Sequence, residues 1–509
     1  MSEVAVLFSV IIPHQRYEYM SNFPPQNTAS FTRNDLIEIF GTQVMASLPK
    51  NCAVSGISTD TRSLHKGNIF VALVGERFDA HSLLAEAVQK GASLLVVNES
   101  FLATNPSLDA PYIAVPNTLH ALGALAHFHR CRFEIPIVAV AGAAGKTTTK
   151  ELISCVLERD YTVLKTEGNF NNQVGVPLTL LRLEESHTAA VVEIGTNEPG
   201  EIEILSNIVA PTHGIITNIG KEHLEKLIDL DGVEREETEL FRYLEQTGGT
   251  GILNLDDERL RKQAAYLPSQ CSYSLAPRSE RKADLSASVQ LSASGEPVMR
   301  FAYKLGKQRA TADVQLRIVG MTMAQNALAA AAVGCSLGVS LGNIVSALRS
   351  FVPTSSDAGY GRMVVEKLKT QGREITLLND CYNANPTSMD AALTTLRTLP
   401  KAHAKQRKIA VLGDMRELGN SAREEHLRCV KELYTASWLD VVILLGEEMR
   451  IAFDTMNQAS VRSSVQFAED IAACVTALHA VMQEGDIVLI KGSRGMKLEQ
   501  VIERLTSDN

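Results

Sequence analysis

Gly142-Ala143-Ala144-Gly145-Lys146-Thr147-Thr148 is the stretch that decides the fold of this chain. The apolar run Ile137–Ala141 precedes it, and residues 151–158 follow with apolar side chains at helical spacing. This order predicts a strand, a glycine-rich turn and a helix. In such a turn the backbone N–H groups and the helix N-terminus can bind phosphate, Lys146 adds a mobile positive charge, and the Thr147 hydroxyl can reach a phosphate-bound Mg²⁺. The stretch therefore predicts a triphosphate site.

The composition bounds the class of protein. The chain has 509 residues, which corresponds to about three domains of ordinary size. Its 45% hydrophobic and 21% charged residues are typical of a globular protein with buried cores. The net charge of −9 gives no field that favours nucleic acid or an anionic membrane surface. The eight cysteines are scattered without a Cys-x-x-Cys pair, and no apolar run could span a bilayer, so we expect a cytoplasmic protein with reduced thiols.

The pattern of apolar runs predicts an α/β fold with three domains, in which strands and helices alternate as in parallel sheets covered on both faces. A linker with Pro, Gly and Ser at residues 351–362 separates the last two domains. Residues 271–309 are weakly patterned, which predicts a peripheral hairpin or insertion. The predicted segments are a leader of unknown role (1–30), a small N-terminal α/β domain (31–135), a central parallel-sheet domain with the glycine-rich turn (136–353) and a Rossmann-like α/β domain (354–509).

Polar residues stand where two central strands end. Glu193 closes the strand predicted near residues 189–194, and His223 follows the strand at 214–218 by a short turn. Ligands of parallel sheets gather beyond the carboxyl ends of the strands. Together with Thr147, these side chains could bind divalent ions that also bind phosphate oxygens, although a single histidine is more often an ordinary core or surface residue.

Other polar clusters can be interpreted either as ordinary loops or as ligand-binding surfaces. In the last domain, turns at residues 380–386, 414–419 and 492–495 follow three predicted strands. One such turn could be ordinary loop chemistry, but three at the same sheet edge predict a second ligand surface that faces the first. In the N-terminal domain, clusters at 58–62 and 75–81 are equally consistent with solvated loops and with a rim for a diphosphate.

Three motifs carry a resemblance to a known family: residues 382–389 (YNANPTSM), 411–419 (VLGDMRELG) and 491–494 (KGSR). With them the chain resembles the Mur ligases of peptidoglycan synthesis from about Phe31 to its C-terminus. Asn-Ala-Asn-Pro at 383–386, in place of Asp-Asn-Pro-Arg, favours the branch that adds D-alanyl-D-alanine to UDP-N-acetylmuramoyl-tripeptide.

The resemblance implies a reaction and a division of labour. It implies an N-terminal domain that binds the UDP end of the substrate, a central ATPase domain and a mobile C-terminal ligase domain. ATP would phosphorylate the carboxylate of the tripeptide, and the amine of the dipeptide would attack the resulting acyl phosphate.

The resemblance also implies roles for individual residues. Catalytic roles are expected of Lys146, Glu193 and His223, and Mg²⁺ would be bound by Thr147, Glu193 and His223. ATP would be bound by Gly142, Ala143, Ala144, Gly145, Lys146, Thr147, Thr148, Asn326, Arg362 and Asp380. The UDP-linked substrate would be contacted by Thr61, Arg62, Arg77, His81, Asn171 and Asn172, and substrate would also be bound by Asn383 and Asn385.

Three positions depart from the family pattern. Glu237 stands where the family typically carries a lysine carbamylated by CO₂; its arm is about three bonds shorter, on the order of 3–4 Å, but glutamate supplies a negative charge permanently. We therefore hypothesise that Glu237 is catalytic in place of the carbamate, and that activity does not need bicarbonate. Thr322-Met323 before Asn326 offers the adenine fewer polar partners, and Asn379 stands where an aspartate is common.

The residues leave two other functions open. A related Mur-type or folylpolyglutamate-type ligase would act on another carboxylate. A nucleotide-binding regulator would have lost catalysis, as Glu237, Thr322-Met323 and Val140 allow, since Val140 stands where the longer phosphate-binding motif has a glycine. We expect a monomer with no nucleic-acid partner and no membrane insertion.

The linker predicts hinge motion between the two ligand surfaces. Replacing Ser355 and Ser356 by proline is expected to lower turnover more than ATP affinity, because closure must exclude water from the acyl phosphate. Steady-state kinetics and equilibrium binding measure the two quantities, and an equal loss of both would contradict the hinge.

Overall fold

The computed structural model describes residues 26–75, 78–105, 108, 110–277, 280–305, 308–353, 362–456 and 464–507. Residues 1–25 of the predicted leader, Arg77 and residues 354–361 of the predicted linker lie outside this part of the chain. Within it strands and helices alternate and the larger sheets contain parallel strands, which confirms the predicted α/β class.

The helices and strands have the following bounds in chain order. Residues 26–135 contain β1 (Ser30–Thr32), α1 (Arg33–Phe40), β2 (Ala53–Ser55), β3 (Ile57–Ser58), β4 (Ile69–Val71), α2 (Leu84–Gln89), β5 (Leu94–Asn98), α3 (Glu99–Thr104), β6 (Tyr112–Val115) and α4 (Thr118–Arg130). Residues 136–353 contain β7 (Ile137–Ala141), α5 (Lys146–Leu157), β8 (Val163–Lys165), α6 (Gly175–Leu180), β9 (Ala189–Glu193), α7 (Glu201–Val209), β10 (His213–Ile216), α8 (Leu224–Leu227), α9 (Leu230–Glu237), α10 (Glu239–Thr247), β11 (Thr250–Asn254), α11 (Glu258–Lys262), β12 (Ser269–Ser274), β13 (Leu285–Leu291), β14 (Pro297–Leu305), β15 (Gln308–Gln315), α12 (Met321–Ser336) and α13 (Leu341–Ser350). The remainder contains β16 (Val364–Thr370), β17 (Arg373–Asp380), α14 (Pro386–Thr398), β18 (Lys408–Gly413), α15 (Ala422–Thr435), β19 (Val441–Leu445), α16 (Glu447–Met456), β20 (Ser464–Ala468), α17 (Ile471–Val481), β21 (Ile487–Lys491) and α18 (Glu499–Ser507).

The chain forms two compact units. The first runs to Ala139 and also takes in Tyr161–Ile194 and Glu203–Thr212. The second comprises Val140–Asp160, Gly195–Ile202 and the chain from His213 onward. The glycine-rich turn and the polar turns of residues 380–494 therefore belong to the same unit.

The first unit contains short parallel sheets. Strands β3, β4, β5 and β6 pair in that order, β8 pairs with β9 in parallel, and β1 pairs with β2 in an antiparallel ladder. The apolar runs at residues 67–73 and 92–97 predict strands, and β4 and β5 are found at these positions. The two outer strands β3 and β6 were missed, because two to four residues are too few to show a periodicity.

Side-chain caps set the helix starts in this unit. The Thr32 hydroxyl accepts the N–H of Asp35, whose carboxylate accepts the N–H of Thr32, so α1 begins at the next residue. Asn117 caps α4 by accepting the N–H groups of Leu119 and His120. These local bonds satisfy donors that a helix start otherwise leaves unpaired.

The second unit contains a mixed sheet in the order β15-β14-β13-β12-β11-β10. The pairs from β10 to β13 are parallel, and β13, β14 and β15 then turn back as antiparallel hairpins. The hairpin predicted within residues 271–309 is thus present, but it extends the sheet as an edge and is not a separate insertion.

A second sheet of this unit has the order β16-β17-β21-β18-β19-β20. All residues of β18, β19 and β21 are buried, which explains why they read as continuous apolar runs covered on both faces. Strands β17, β21 and β18 are parallel neighbours, so the three polar turns that follow them meet at one edge of the sheet, as predicted. The outer strands β16 and β20 were missed; β16 alternates between exposed residues and residues that are partly or fully buried.

Within the described residues, no helix is both long and apolar enough to cross a membrane.

Arg130, the last residue of α4, is buried. Its guanidinium donates to the carbonyl oxygens of Val209 (2.8 Å), Ala210 (2.8 Å) and Phe133 (3.0 Å). Hydrogen bonds to a charged group are stronger than neutral ones, and a buried partner left unpaired carries a desolvation cost. Arg130 therefore fixes the end of α7 against the end of α4 within the first unit.

We predict that Arg130→Ala lowers the free energy of unfolding by roughly 2–4 kcal/mol, because it leaves buried carbonyl groups unpaired. Arg130→Lys is the matched control: it keeps the charge but loses the planar fork, so we expect an intermediate loss. Thermal unfolding measures both, and a melting temperature for Arg130→Ala equal to that of the unmodified chain would contradict this role.

Candidate active site

The predicted strand, glycine turn and helix are present. Strand β7 ends at Ala141, and Gly142 and Gly145 have φ angles of 113° and 84°, in the left-handed region that favours glycine. A Cβ on Gly142 would lie 2.3 Å from the Thr217 hydroxyl oxygen, so space also requires glycine there. Helix α5 begins directly after Gly145, at Lys146, which places its N-terminal dipole beside the lysine.

Three N–H groups of the turn already have protein acceptors. The N–H of Gly142 donates to Glu237 Oε2 (2.8 Å), that of Ala143 to the Asn218 carbonyl (3.0 Å) and that of Ala144 to Asn218 Oδ1 (3.2 Å). The Asn218 amide donates in return to the Ala144 carbonyl at 2.7 Å. These bonds fix the shape of the turn, so a phosphate could take these three N–H groups only by displacing their present acceptors.

Lys146 folds back onto the turn. Its ammonium donates to the Gly142 carbonyl and lies 3.4 Å from Glu222 Oε2. The ammonium is held at the mouth of the turn, within reach of any phosphate that the start of α5 attracts.

Two buried carboxyl groups lie behind the turn. Glu222 and Glu237, here called the acidic pair, are 2% and 0% exposed, and lie within hydrogen-bonding reach of each other. Glu237 is held by the Gly142 N–H and Glu222 faces the Lys146 ammonium. The sequence prediction included Glu237 but missed Glu222, whose only signal was its place directly before His223.

The surroundings of Glu237 change the pKa of its carboxyl group. Burial, followed by the charge of Glu222, raises the pKa of Glu237 well above its usual range, and Lys146 opposes this shift only in part. The raised pKa opposes the expected permanent negative charge, because a second buried anion beside Glu222 is costly. A cation arriving at the acidic pair would favour the ionised form.

His223 connects the acidic pair to the polar turn after β18. Its Nδ1 lies 2.8 Å from Glu417 Oε2, and its Nε2 lies 3.8 Å from Glu222 Oε2. Burial by itself lowers the pKa of His223, but the hydrogen bond to Glu417 and the negative charges of Glu222 and Glu417 outweigh it, so the pKa is raised. His223 and Glu417 both have left-handed φ angles, of 46° and 64°, which this contact helps to hold.

Thr147 and Thr148 occupy the first turn of α5. Thr147 is 2% exposed, and its hydroxyl oxygen has no hydrogen-bond partner among the described residues. Asn326 of α12 lies against the turn, since a Cβ on Gly145 would come within 3.0 Å of its Oδ1. The hydroxyl and the amide predicted for ATP are thus both at the glycine turn.

Glu193 belongs to the first unit and ends β9 in a fully buried position. Its Oε1 accepts a hydrogen bond from Asn171 Nδ2 (2.9 Å), and its N–H donates to the Thr166 hydroxyl (2.9 Å). Asn172 Oδ1 accepts the N–H groups of Val174 and Gly175 at the start of α6. Asn171 therefore orients Glu193, and Asn172 closes the turn that leads into α6, whereas the sequence prediction gave both only a substrate contact.

The oxygen atoms left unpartnered fit Mg²⁺. Among the described residues, no group of three His, Cys, Asp or Glu side chains is arranged to hold a metal ion by itself. Mg²⁺ at nucleotides, however, takes few protein ligands and completes its shell with phosphates and water. The buried oxygen atoms without a partner in the described chain include Thr147 Oγ1, Glu222 Oε1 and Glu237 Oε1 in the second unit, and Glu193 Oε2 in the first.

Asp380 ends β17 and pairs with the buried Lys491 at 2.6 Å. Burial raises the pKa of Asp380, and the adjacent Lys491 ammonium opposes that shift. The other carboxylate oxygen of Asp380 accepts the N–H of Met363 at 2.9 Å. The Arg362 guanidinium lies over the Tyr382 ring at 4.0 Å from its centroid. Arg362 and Asp380, both predicted to reach ATP, are thus held at the same sheet edge.

The turn after β17 reaches the glycine turn. Asn385 Nδ2 donates to the Ala143 carbonyl at 3.3 Å, while its Oδ1 caps α14 by accepting the N–H of Ser388 at 2.8 Å. Asn383 Oδ1 accepts the N–H of Arg494 at 3.3 Å. The turn after β17 therefore faces the glycine turn within this unit, as predicted, and its binding of a ligand stays a prediction.

A neighbouring contact strengthens this approach. The N–H of Lys221 donates to the Thr387 hydroxyl at 2.8 Å, and its ammonium pairs with Glu425. A Cβ on Gly220 would come within 2.4 Å of the same hydroxyl, so glycine permits the close approach. The segment before His223 is thereby packed against the start of α14.

The N-terminal candidates are bound mainly to their own surroundings. The Arg62 guanidinium donates to both carboxylate oxygens of Asp60, which lowers the pKa of that carboxyl. His81 is buried, with Nδ1 on Asp79 (2.5 Å) and Nε2 accepting the N–H of Asn98 (2.9 Å). Thr61 is also buried. A substrate contact through the His81 ring would require one of these bonds to be exchanged.

Comparison with known proteins shows two matching family models and several similar proteins. Residues 140–334 match the Mur ligase middle domain, and residues 361–494 match the Mur ligase, glutamate ligase domain. The UDP-N-acetylmuramoyl-tripeptide–D-alanyl-D-alanine ligase of Bacillus subtilis is 31% identical over 460 residues, which cover 89% of this chain and 93% of that protein. The protein of the same name from Escherichia coli is 31% identical over 478 residues, which cover 94% and 98%. A crystal structure of MurF from Acinetobacter baumannii superimposes with a TM-score of 0.79 at 29% identity, covering 94% of this chain and all of that one.

We predict that Glu417→Gln lowers the pKa of His223, since it removes the negative charge that faces Nδ1. Because the folded pKa is raised, the contact stabilises fully below the ordinary pKa of histidine and is lost as the pH rises through the folded value. Nuclear magnetic resonance titration of the metal-free protein measures the pKa. Glu424→Gln, an exposed change of the same charge nearby, is the control, and equal pKa values in both variants would contradict the assignment.

Proposed function

Because the chain belongs to the Mur ligase family, in its MurF branch, we propose that it joins D-alanyl-D-alanine to UDP-N-acetylmuramoyl-tripeptide and consumes ATP. The observation that supports this most is local. A glycine turn with a lysine faces, within one compact unit, the Asn-Ala-Asn-Pro turn that begins α14. The relatives that bear the name of this ligase align with this chain over 93% and 98% of their own length.

The reaction proceeds in two steps. A carboxylate oxygen of the tripeptide attacks the γ-phosphorus of ATP, the bond to ADP breaks, and an acyl phosphate forms. The neutral amine of the dipeptide then attacks the acyl carbon, a C–N bond forms, and phosphate leaves as the amine proton is lost. The first step is required because a free carboxylate repels nucleophiles and lacks a leaving group.

The residues of the glycine turn stabilise the charge in transfer. The Lys146 ammonium moves from the Gly142 carbonyl to the β and γ phosphates, and the start of α5 faces the same anion. Thr147 and Glu193 would hold a first Mg²⁺, and His223 would hold a second one. Bound Mg²⁺ supplies neutralisation of the phosphate charge.

Asn171 and Asn385 act as positioning residues in this proposal. Asn171 turns the Glu193 carboxylate through a 2.9 Å hydrogen bond, and Asn385 links the turn after β17 to the Ala143 carbonyl. The contacts of Lys221 with Thr387 and Glu425 keep the segment before His223 close to α14 and α15. Such closure excludes water, which would otherwise hydrolyse the acyl phosphate.

We further propose the remaining assignments. Residues 31–135 bind the UDP end of the substrate, with Thr61, Arg62, Arg77 and His81 contributing; residues 136–353 form the ATPase domain, and residues 354–509 complete the ligase site. The protein acts as a monomer in the cytoplasm, where ATP and the UDP-linked precursor are available.

Phosphate release tests the proposed reaction. We expect release from ATP only when both the UDP-linked tripeptide and D-alanyl-D-alanine are present, and we expect Lys146→Ala to lower turnover by about 10²–10³-fold, because a charge that stabilises the transition state is lost. Release with single amino acids, or with another carboxylate in place of the tripeptide, would assign the chain to a related ligase. ATP binding without any release would make it a regulator.

A further inference from the structure

The acidic pair needs a positive counter-charge, because both of its carboxyl groups are buried. Glu222 and Glu237 are both nearly inaccessible to solvent, and one oxygen of each has no partner in the described chain. The Lys146 ammonium lies beside this pair, 3.4 Å from Glu222 Oε2. When Lys146 extends to ATP phosphates, as the proposed function requires, the two carboxyl groups lose that neighbour, and buried carboxylates are stable only when paired or bound to metal.

The reach of the two side chains differs. Glu237 is tied at Oε2 to the Gly142 N–H, behind the glycine turn, and it is the shorter replacement for a carbamylated lysine. Glu222 has its Oε2 3.4 Å from the Lys146 ammonium and 3.8 Å from His223 Nε2. Glu222 is therefore the carboxyl group that lies beside both Lys146 and His223.

We propose that Glu222 is the carboxylate ligand of the second divalent cation, together with His223, and that Glu237 positions Glu222 from behind. Two glutamates in series, anchored on the Gly142 N–H, thus take the place that the family resemblance gives to one carbamylated lysine. The Lys146 ammonium occupies the cation side of Glu222 until nucleotide binds. The inference rests on the proposed function only in placing a second cation at the ATP phosphates.

Because the two glutamates have different roles in this assignment, substitutions at positions 222 and 237 are expected to give different results. Glutamine at position 237 can still accept from the Gly142 N–H and donate to Glu222, so Glu237→Gln keeps the positioning whereas Glu237→Ala removes it. Glutamine at position 222 removes a charged ligand. Glu225→Gln, on the exposed side of the next helix turn, is the matched control for loss of one negative charge.

Counting Mn²⁺ by electron paramagnetic resonance, with ADP present and bicarbonate absent, tests the proposal. We expect two ions on the unmodified chain and on Glu225→Gln. We expect Glu222→Gln to bind the second ion more than about 100-fold more weakly, Glu237→Ala about 10–100-fold more weakly, and Glu237→Gln within a few-fold of normal. Retention of the first ion and an unchanged melting temperature show that each variant is folded with an intact nucleotide site.

Three results would overturn the assignment: a second ion retained by Glu222→Gln, a second ion lost in Glu237→Gln but not in Glu222→Gln, or a second ion in the unmodified chain that needs bicarbonate. Should a variant fail to fold, Glu222→Asp keeps the charge and shortens the arm by one methylene, and we expect intermediate affinity. The ion count needs no peptide substrate, so a different carboxylate substrate would disprove the proposed function and leave this result unchanged.

Discussion

The hydrogen bond from the Gly142 N–H to the Glu237 carboxyl is the constraint from which the rest of the site follows. It fixes the first residue of the glycine turn against α9, in a conformation that only glycine adopts without strain. It also places one buried carboxyl where a second, Glu222, must share its surroundings. The adjoining residue of α9, Glu236, instead accepts the N–H groups of Gly200 and Ile202, before and within α7. The C-terminal end of α9 thus contributes Glu236 to the contact with α7 and Glu237 to the candidate site.

The sequence predicted the parts of this site that depend on local pattern. An apolar run, two glycines and Lys146 are enough to predict a strand, a turn and a helix, and Glu193 stood out because a carboxylate at the end of a buried strand is costly. The three polar turns of the last domain were placed correctly because parallel neighbours end at one edge. Residues outside such patterns were missed, as Glu222 shows.

Contacts between distant segments could not be predicted from spacing. Glu417 meets His223 although the two residues follow strands of different sheets. The roles of Asn171 and His81 depend on which neighbour their amide or ring faces, and this is decided by packing. Strands β3, β6 and β16 were missed because they are short or half-exposed, so that the apolar pattern on which strand prediction relies is weak.

Asn385 carries a consequence for how this protein can change over evolutionary time. One planar amide starts α14 with its oxygen and touches the Ala143 carbonyl with its nitrogen. Serine or aspartate would start the helix equally well, yet neither carries a nitrogen that could reach the glycine turn. A substitution at this position can therefore keep the start of α14 while it removes the hydrogen bond to the glycine turn.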